Sequence, residues 1–113
     1  MDLKEYLIES SRTESPYWYP DNIKVETLHG IIGVSGEAGE LLDAAKKSLF
    51  YDQPLDKQNV REELGDILWY VAAIIRSEGW TFEDIMEENI NKLRKRYPGK
   101  FTPELAKKRL DKI

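Results

Sequence analysis

The sequence predicts an all-α protein: a four-helix bundle core followed by a short C-terminal helix. Three observations carry this. Apolar residues recur at alternating steps of three and four. The breaks between periodic segments are short and rich in Pro, Asp and Gly. No strand-length β-branched run, internal repeat or low-complexity stretch competes.

The first helix is read over "MDLKEYLIES", with Asp2 as N-cap and Glu5 three residues later at capping-box spacing. "SRTESPYWYPDN" interrupts it, Pro16 and Pro20 bracketing Tyr17, Trp18 and Tyr19. Asp21 or Asn22 then caps a long second helix to about Phe50, with Ile31, Val34, Ala38, Leu41 and Ala45 on one face. "YDQPLD" makes the turn, and Asp56 caps a third helix through about Ser77. Gly79 stops that helix. Thr81 caps a fourth, with Asp84 at its third position and Trp80 and Ile85 spaced as a hydrophobic staple. Phe82, Ile85, Met86, Ile90, Leu93 and Tyr97 form the expected buried stripe, which Pro98 ends. Thr102 and Pro103 open the tail helix.

The 113 residues fit one domain, residues 1–113, whose core has little margin, so self-association is expected. The net charge of −4 argues against general nucleic-acid binding. The absence of cysteine excludes disulfides and thiolate metal sites and agrees with a reducing, cytoplasmic setting. The N-terminus lacks the run of a signal peptide, and no segment has about 18 uninterrupted apolar residues. A soluble chain without membrane partners is expected.

Against this background the acids of the two most apolar segments are odd. "GVSGEAGELL" carries Glu37 and Glu40; "REELGDILWYVAAII" carries Glu63 and Asp66. Glu37 and Glu40 fall beside the Val34/Ala38/Leu41 face, and Asp66 is the only formal charge between Leu64 and Ile75. Each pair alone reads as a solvated face, or as partners of Arg61 or Lys46. Two pairs on adjacent antiparallel helices are different: four facing carboxylates repel unless cations lie between them. Hard divalent cations take oxygen ligands, and Mg²⁺ combines carboxylates with water and phosphate. Di-iron chemistry is disfavoured, since its Glu-x-x-His pairs need more than one histidine. Gly33, Gly36 and Gly39 either permit a tight helix crossing or leave room beside the acids.

"GEAGELLDAAKK" followed by "EELGDILWYVAAI" resembles the MazG-like branch of the all-α nucleoside triphosphate pyrophosphohydrolases, whose signature is ExxE, a gap, then ExxD. The N-terminal "EY…SRT", the "HG" at His29 and "NINKLRKRYPGKF" extend the likeness over most of the chain. The resemblance implies Mg²⁺-dependent hydrolysis, with Mn²⁺ as a substitute ion, of a nucleoside triphosphate to the monophosphate and pyrophosphate. It implies that Glu37, Glu40, Glu63 and Asp66 hold the metal. One carboxylate then helps deprotonate water, and spacing does not separate Glu37 from Glu40 in that role. Relatives selective for cytosine carry a Trp where this chain has Lys46 and Lys47, so no such preference is carried over.

Around the acids, Asn89, Lys92 and Arg96 share a face of the fourth helix suited to gripping phosphates. Their bland reading is cations near a helix C-terminus, as for Arg94 and Lys95. Tyr70, one turn after Asp66, is read as a phosphate or sugar contact or as a core residue with its hydroxyl at the rim. His29 is read as structural or substrate-facing, and Trp18 as a base-stacking residue or part of a lid. Trp69, Ala72 and Ala73 make the third helix apolar on a second side, which suggests another subunit's helices. The family's dimers and tetramers agree. The competing function is a non-catalytic, divalent-metal-binding helical oligomerisation module, and retention of all four acids favours the enzyme.

Overall fold

In the computed structural model, which describes residues 1–113, five α-helices form and no strand does. They are α1 (Leu3–Ser11), α2 (Val25–Phe50), α3 (Lys57–Glu78), α4 (Phe82–Arg96) and α5 (Pro103–Lys108), with 3₁₀ turns at Pro20–Asn22 and Leu110–Lys112. No helix is long and apolar enough to cross a membrane.

Side-chain caps fix most helix starts where the sequence places them. Asp2 accepts from the Glu5 amide at 2.7 Å, Asp56 from Asn59 at 3.0 Å, Thr81 from Asp84 at 3.1 Å and Thr102 from Leu105 at 3.1 Å. Gly79 ends α3 with φ 73°, and the following Trp80 amide donates to the Ile75 carbonyl at 3.0 Å.

The start of α2 differs from the sequence reading. Asp21 and Asn22 cap nothing; they belong to the 3₁₀ turn begun by Pro20, and the helix opens at Val25 after an extended Lys24. Tertiary contacts take the place of a local cap. The Lys24 ammonium donates to the Ser77 carbonyl at 2.9 Å, and the buried Thr27 hydroxyl bonds Ser77 Oγ at 2.8 Å and Glu78 Oε1 at 2.6 Å. This clasp ties the start of α2 to the end of α3, so the two run antiparallel.

Packing within the chain is concentrated in that α2–α3 hairpin. Gly33 lies under the Tyr70 ring, which a Cβ there would overlap, and Gly30 meets Ile74 and the Tyr70 carbonyl. Gly36 and Gly39 face open space. The crossing thus explains the first glycine of the every-third series, not the other two.

The helices form as read, but one chain does not close them into a bundle. The α4 helix packs with α5 and the C-terminal 3₁₀ turn, and α1 buries no residue. The stripe expected to be buried on α4 is open, with Phe82, Ile85, Met86 and Ile90 all exposed. The apolar run of α3 is open too: Leu64, Leu68 and Trp69 are exposed, and Ile75 is the one buried residue of that helix. The radius of gyration is 20.0 Å, against about 13 Å for a packed chain of this length. Accessible surface is 9879 Å² for 13.2 kDa, where a compact monomer exposes about 6,400 Å².

The C-terminal arm is held by charge. Arg96 donates from Nε to Asp111 Oδ1 at 3.0 Å and from Nη2 to Oδ2 at 3.2 Å, and Arg109 adds two bonds at 3.3 Å. The left-handed conformation of Arg109 turns the tail back, and the Asp111 side chain is only 2% exposed. The two guanidiniums, Arg96 first, hold the Asp111 carboxyl well below the usual carboxylate range, against the opposing effect of burial.

Candidate metal centre

The antiparallel crossing brings α2 and α3 together one turn beyond the Gly33–Tyr70 contact, and there three acids meet. One carboxylate oxygen from each of Glu37, Glu63 and Asp66 lies within 4.8 Å of the other two. Glu37 and Glu63 are half-buried and Asp66 is exposed, so the cluster has a protein side and a solvent side.

Glu63 shows the strain of this arrangement. Its Oε2 is buried with no hydrogen-bond partner, because a neighbouring carboxylate offers no donor. A proton shared with Glu37 relieves this. That hydrogen bond, then burial, then the charges of Glu37, Glu40 and Asp66 push the Glu63 carboxyl up to about 7. A divalent cation answers the same need by giving the orphan oxygen a partner and cancelling the repulsion. The donor set is carboxylate oxygen alone, which suits a hard ion and not a thiophilic one.

Glu40 lies outside the trio and within reach of its field. It borders a polar recess of about 330 Å³ at the α2–α3 turn, with Asp43, Lys47, Asp56 and Asn59 among its neighbours. Lys47 pairs with Asp43 at 3.1 Å; that bond and the Asp43 charge raise the lysine pKa, with Glu40 adding to it. The sequence reading did not anticipate this recess, although the Asp56 cap that fixes the turn was visible.

The other candidates divide. Tyr70 lines a recess with Asp66, and His29 meets it on the side away from the trio, their rings edge to face at 5.6 Å and 84°. Trp69 joins them, 5.1 Å from Tyr70 and 6.4 Å from His29. Asn89 and Lys92 sit exposed on α4, which does not pack along the hairpin, so they are not among the groups gathered here. Arg96 is committed to Asp111. Trp18 projects from its loop, 86% exposed, between Tyr17 and Tyr19, which stack at 6.2 Å.

Comparison with known proteins bears on this geometry. Residues 27–101, which include all four acids, match the model of the MazG nucleotide pyrophosphohydrolase domain. The chain is similar to the Gene 37 protein of Mycobacterium phage L5, 31% identical over 86 residues that cover 69% of this chain and 75% of the phage protein. No solved structure matches it. With the ExxE helix and the ExxD helix crossing so that their acids converge, the chain belongs to the MazG nucleotide pyrophosphohydrolase family.

Proposed function

We propose that this protein hydrolyses nucleoside triphosphates to the monophosphate and pyrophosphate, using Mg²⁺ held by Glu37, Glu63 and Asp66, with Glu40 one turn away. The observation that carries the reading is the convergence of three carboxylates around a buried, unpartnered Glu63 oxygen. A helix pair built only for stability gains nothing from that arrangement.

When bound, the divalent ion supplies charge neutralisation for the polyphosphate and for the pyrophosphate that leaves. The residues of the chain do the rest. Glu37 and Glu63 fix the protein side of the centre, since both are half-buried on packed helices. Asp66 faces solvent, where a triphosphate approaches. A carboxylate of α2, Glu37 or Glu40, takes the proton of the attacking water as its oxygen bonds to phosphorus and the α–β anhydride bond breaks. Asn89 and Lys92 supply phosphate contacts once α4 is brought to the hairpin.

The same reading includes a homodimer or homotetramer. The exposed α4 stripe and the Leu64 and Leu68 side of α3, with roughly 3,000 Å² of surface beyond that of a compact monomer, match what obligate subunit interfaces cover. A cytoplasmic enzyme that clears or adjusts nucleotide pools fits a cysteine-free chain of this family.

The test is incubation with Mg²⁺ and a panel of ribo-, deoxyribo- and damaged nucleoside triphosphates, resolving pyrophosphate from orthophosphate. Monophosphate plus pyrophosphate, lost in Glu40→Gln and Asp66→Asn, is the expected result. Orthophosphate without pyrophosphate overturns the bond assignment. Metal binding with no turnover of any nucleotide moves the protein to a non-catalytic metal-binding oligomer.

A further inference from the structure

The chain has three tryptophans, and only one borders the acid trio. Trp18 stands in the loop before α2, and Trp80 precedes the Thr81 cap of α4, beside Asp84, Ile85 and Glu88. Trp69 follows Asp66 by three residues on α3, which places the two side chains on neighbouring positions of one helix face. Asp66, Trp69 and Tyr70 together line an open recess of about 310 Å³.

The indole there is both exposed and fixed in direction. It is 57% exposed, an unfavourable state for so large an apolar ring. Yet it meets Tyr70 edge to face at 87° and His29 at 72°, and Tyr70 is itself pinned over Gly33 at the helix crossing. A ring oriented by two neighbours, with much of its surface open and a metal-binding carboxylate on the next turn, has the features of a stacking platform.

We propose that Trp69 is the platform on which the substrate's nucleobase stacks, the triphosphate extending from there past Asp66 to the acid trio. The proposal rests on the nucleotide-hydrolase reading and names the residue that would give it a base contact. It also decides between two occupants of the recess. A second copy of the chain laid over Trp69 closes the solvent side by which a triphosphate reaches Asp66, whereas a nucleotide stacked there leaves the acid trio in use. Stacking is tolerant of base identity, because every base presents a π-face. Trp69 therefore contributes affinity for nucleosides over bare polyphosphate rather than a choice among bases.

The experiment uses the full chain carrying Trp18→Phe and Trp80→Phe, so that Trp69 is the sole indole reporter. It is titrated in Mg²⁺ with α,β-methylene deoxynucleoside triphosphates and, separately, with tripolyphosphate. The base-bearing analogues are expected to quench Trp69 and tripolyphosphate to leave it unchanged. Trp69→Ala in the otherwise native chain should raise KM roughly tenfold or more, with a smaller change in kcat. The same variant should hold tripolyphosphate within about twofold of the native affinity, and Trp69→Phe should recover most of the KM. A Trp69 signal indifferent to analogues of nucleotides that the native enzyme hydrolyses overturns the proposal. So does a Trp69→Ala protein that loses tripolyphosphate and nucleotide equally while its assembly dissociates, which marks Trp69 as a subunit contact. If the native chain turns over no nucleotide and binds neither probe, the hydrolase reading falls and the platform with it.

Discussion

The α2–α3 hairpin and the α4–α5 arm solve the same problem in opposite ways. Each presents an amphipathic face that must be covered. The hairpin covers part of its own, with Tyr70 on Gly33, Ile74 on Gly30, and Thr27 clasped to Ser77 and Glu78, while Leu64, Leu68 and Trp69 stay open. The arm is held by the Arg96–Asp111–Arg109 ion cluster and leaves Ile85, Met86 and Ile90 open. The hairpin is thus the packed frame that sets the positions of Glu37, Glu63 and Asp66, whereas the arm leaves its apolar stripe uncovered within the chain.

The largest effects come from breaking the hairpin's acids. Glu40→Gln and Asp66→Asn should each lower kcat/KM by about 10²–10⁴-fold, with the helical content by circular dichroism unchanged. Breaking the arm should act on assembly instead. Ile90→Asp places a charge on the open α4 stripe, the proposed subunit contact, and should weaken association by about 2 kcal/mol or more. Sedimentation velocity would show a shift toward the monomer. An unaltered assembly would mean that the stripe is not a subunit contact.

Two glycines sharpen the comparison within α2 itself. Gly33→Ala drives a methyl into the Tyr70 ring and should destabilise by about 1–3 kcal/mol. Gly36→Ala meets nothing and should stabilise the metal-free protein by about 0.5–1 kcal/mol through helix propensity. Denaturant melts of the two variants should therefore move in opposite directions.

The smallest effects are in pH, and the two regions differ in sign. Glu63 holds its proton to about 7 in the folded, metal-free chain, against about 4.3 when unfolded. The folded state binds more protons across that window, so this contribution to stability is full below the unfolded value and is lost as pH rises toward 7. Asp111 is depressed, so its contribution is full above about 3.9 and is lost as pH falls. Melts of the metal-free protein should show a decline toward neutrality that Glu63→Gln removes, and an acid-side decline that Asp111→Asn removes.

Much of the architecture was legible in the chain because it is local. The caps at Asp2, Asp56, Thr81 and Thr102 need only the spacing of a polar side chain and an amide three residues on. The convergence of Glu37, Glu63 and Asp66 was legible because carboxylates in apolar helices are costly enough to demand a reason, whereas the place of Glu40 outside the trio was not. What could not be read is long-range. The start of α2 is decided by Lys24 and Thr27 reaching Ser77 and Glu78, about fifty residues away, so the local caps at Asp21 and Asn22 lose. Periodicity marks Phe82, Ile85 and Ile90 as a face to be covered without saying which chain covers it. The pairing of Arg96 with Asp111 depends on the left-handed turn at Arg109, a conformation that no composition announces at an arginine.

The most direct test of the hairpin as a metal centre is Mn²⁺ binding to the protein without nucleotide, followed by electron paramagnetic resonance. If the unpartnered Glu63 oxygen is a ligand, the native chain binds the ion and Glu63→Gln weakens it by at least tenfold, with Ile90→Asp unaffected at the hairpin. Equal Mn²⁺ affinity in the native and Glu63→Gln proteins would contradict it.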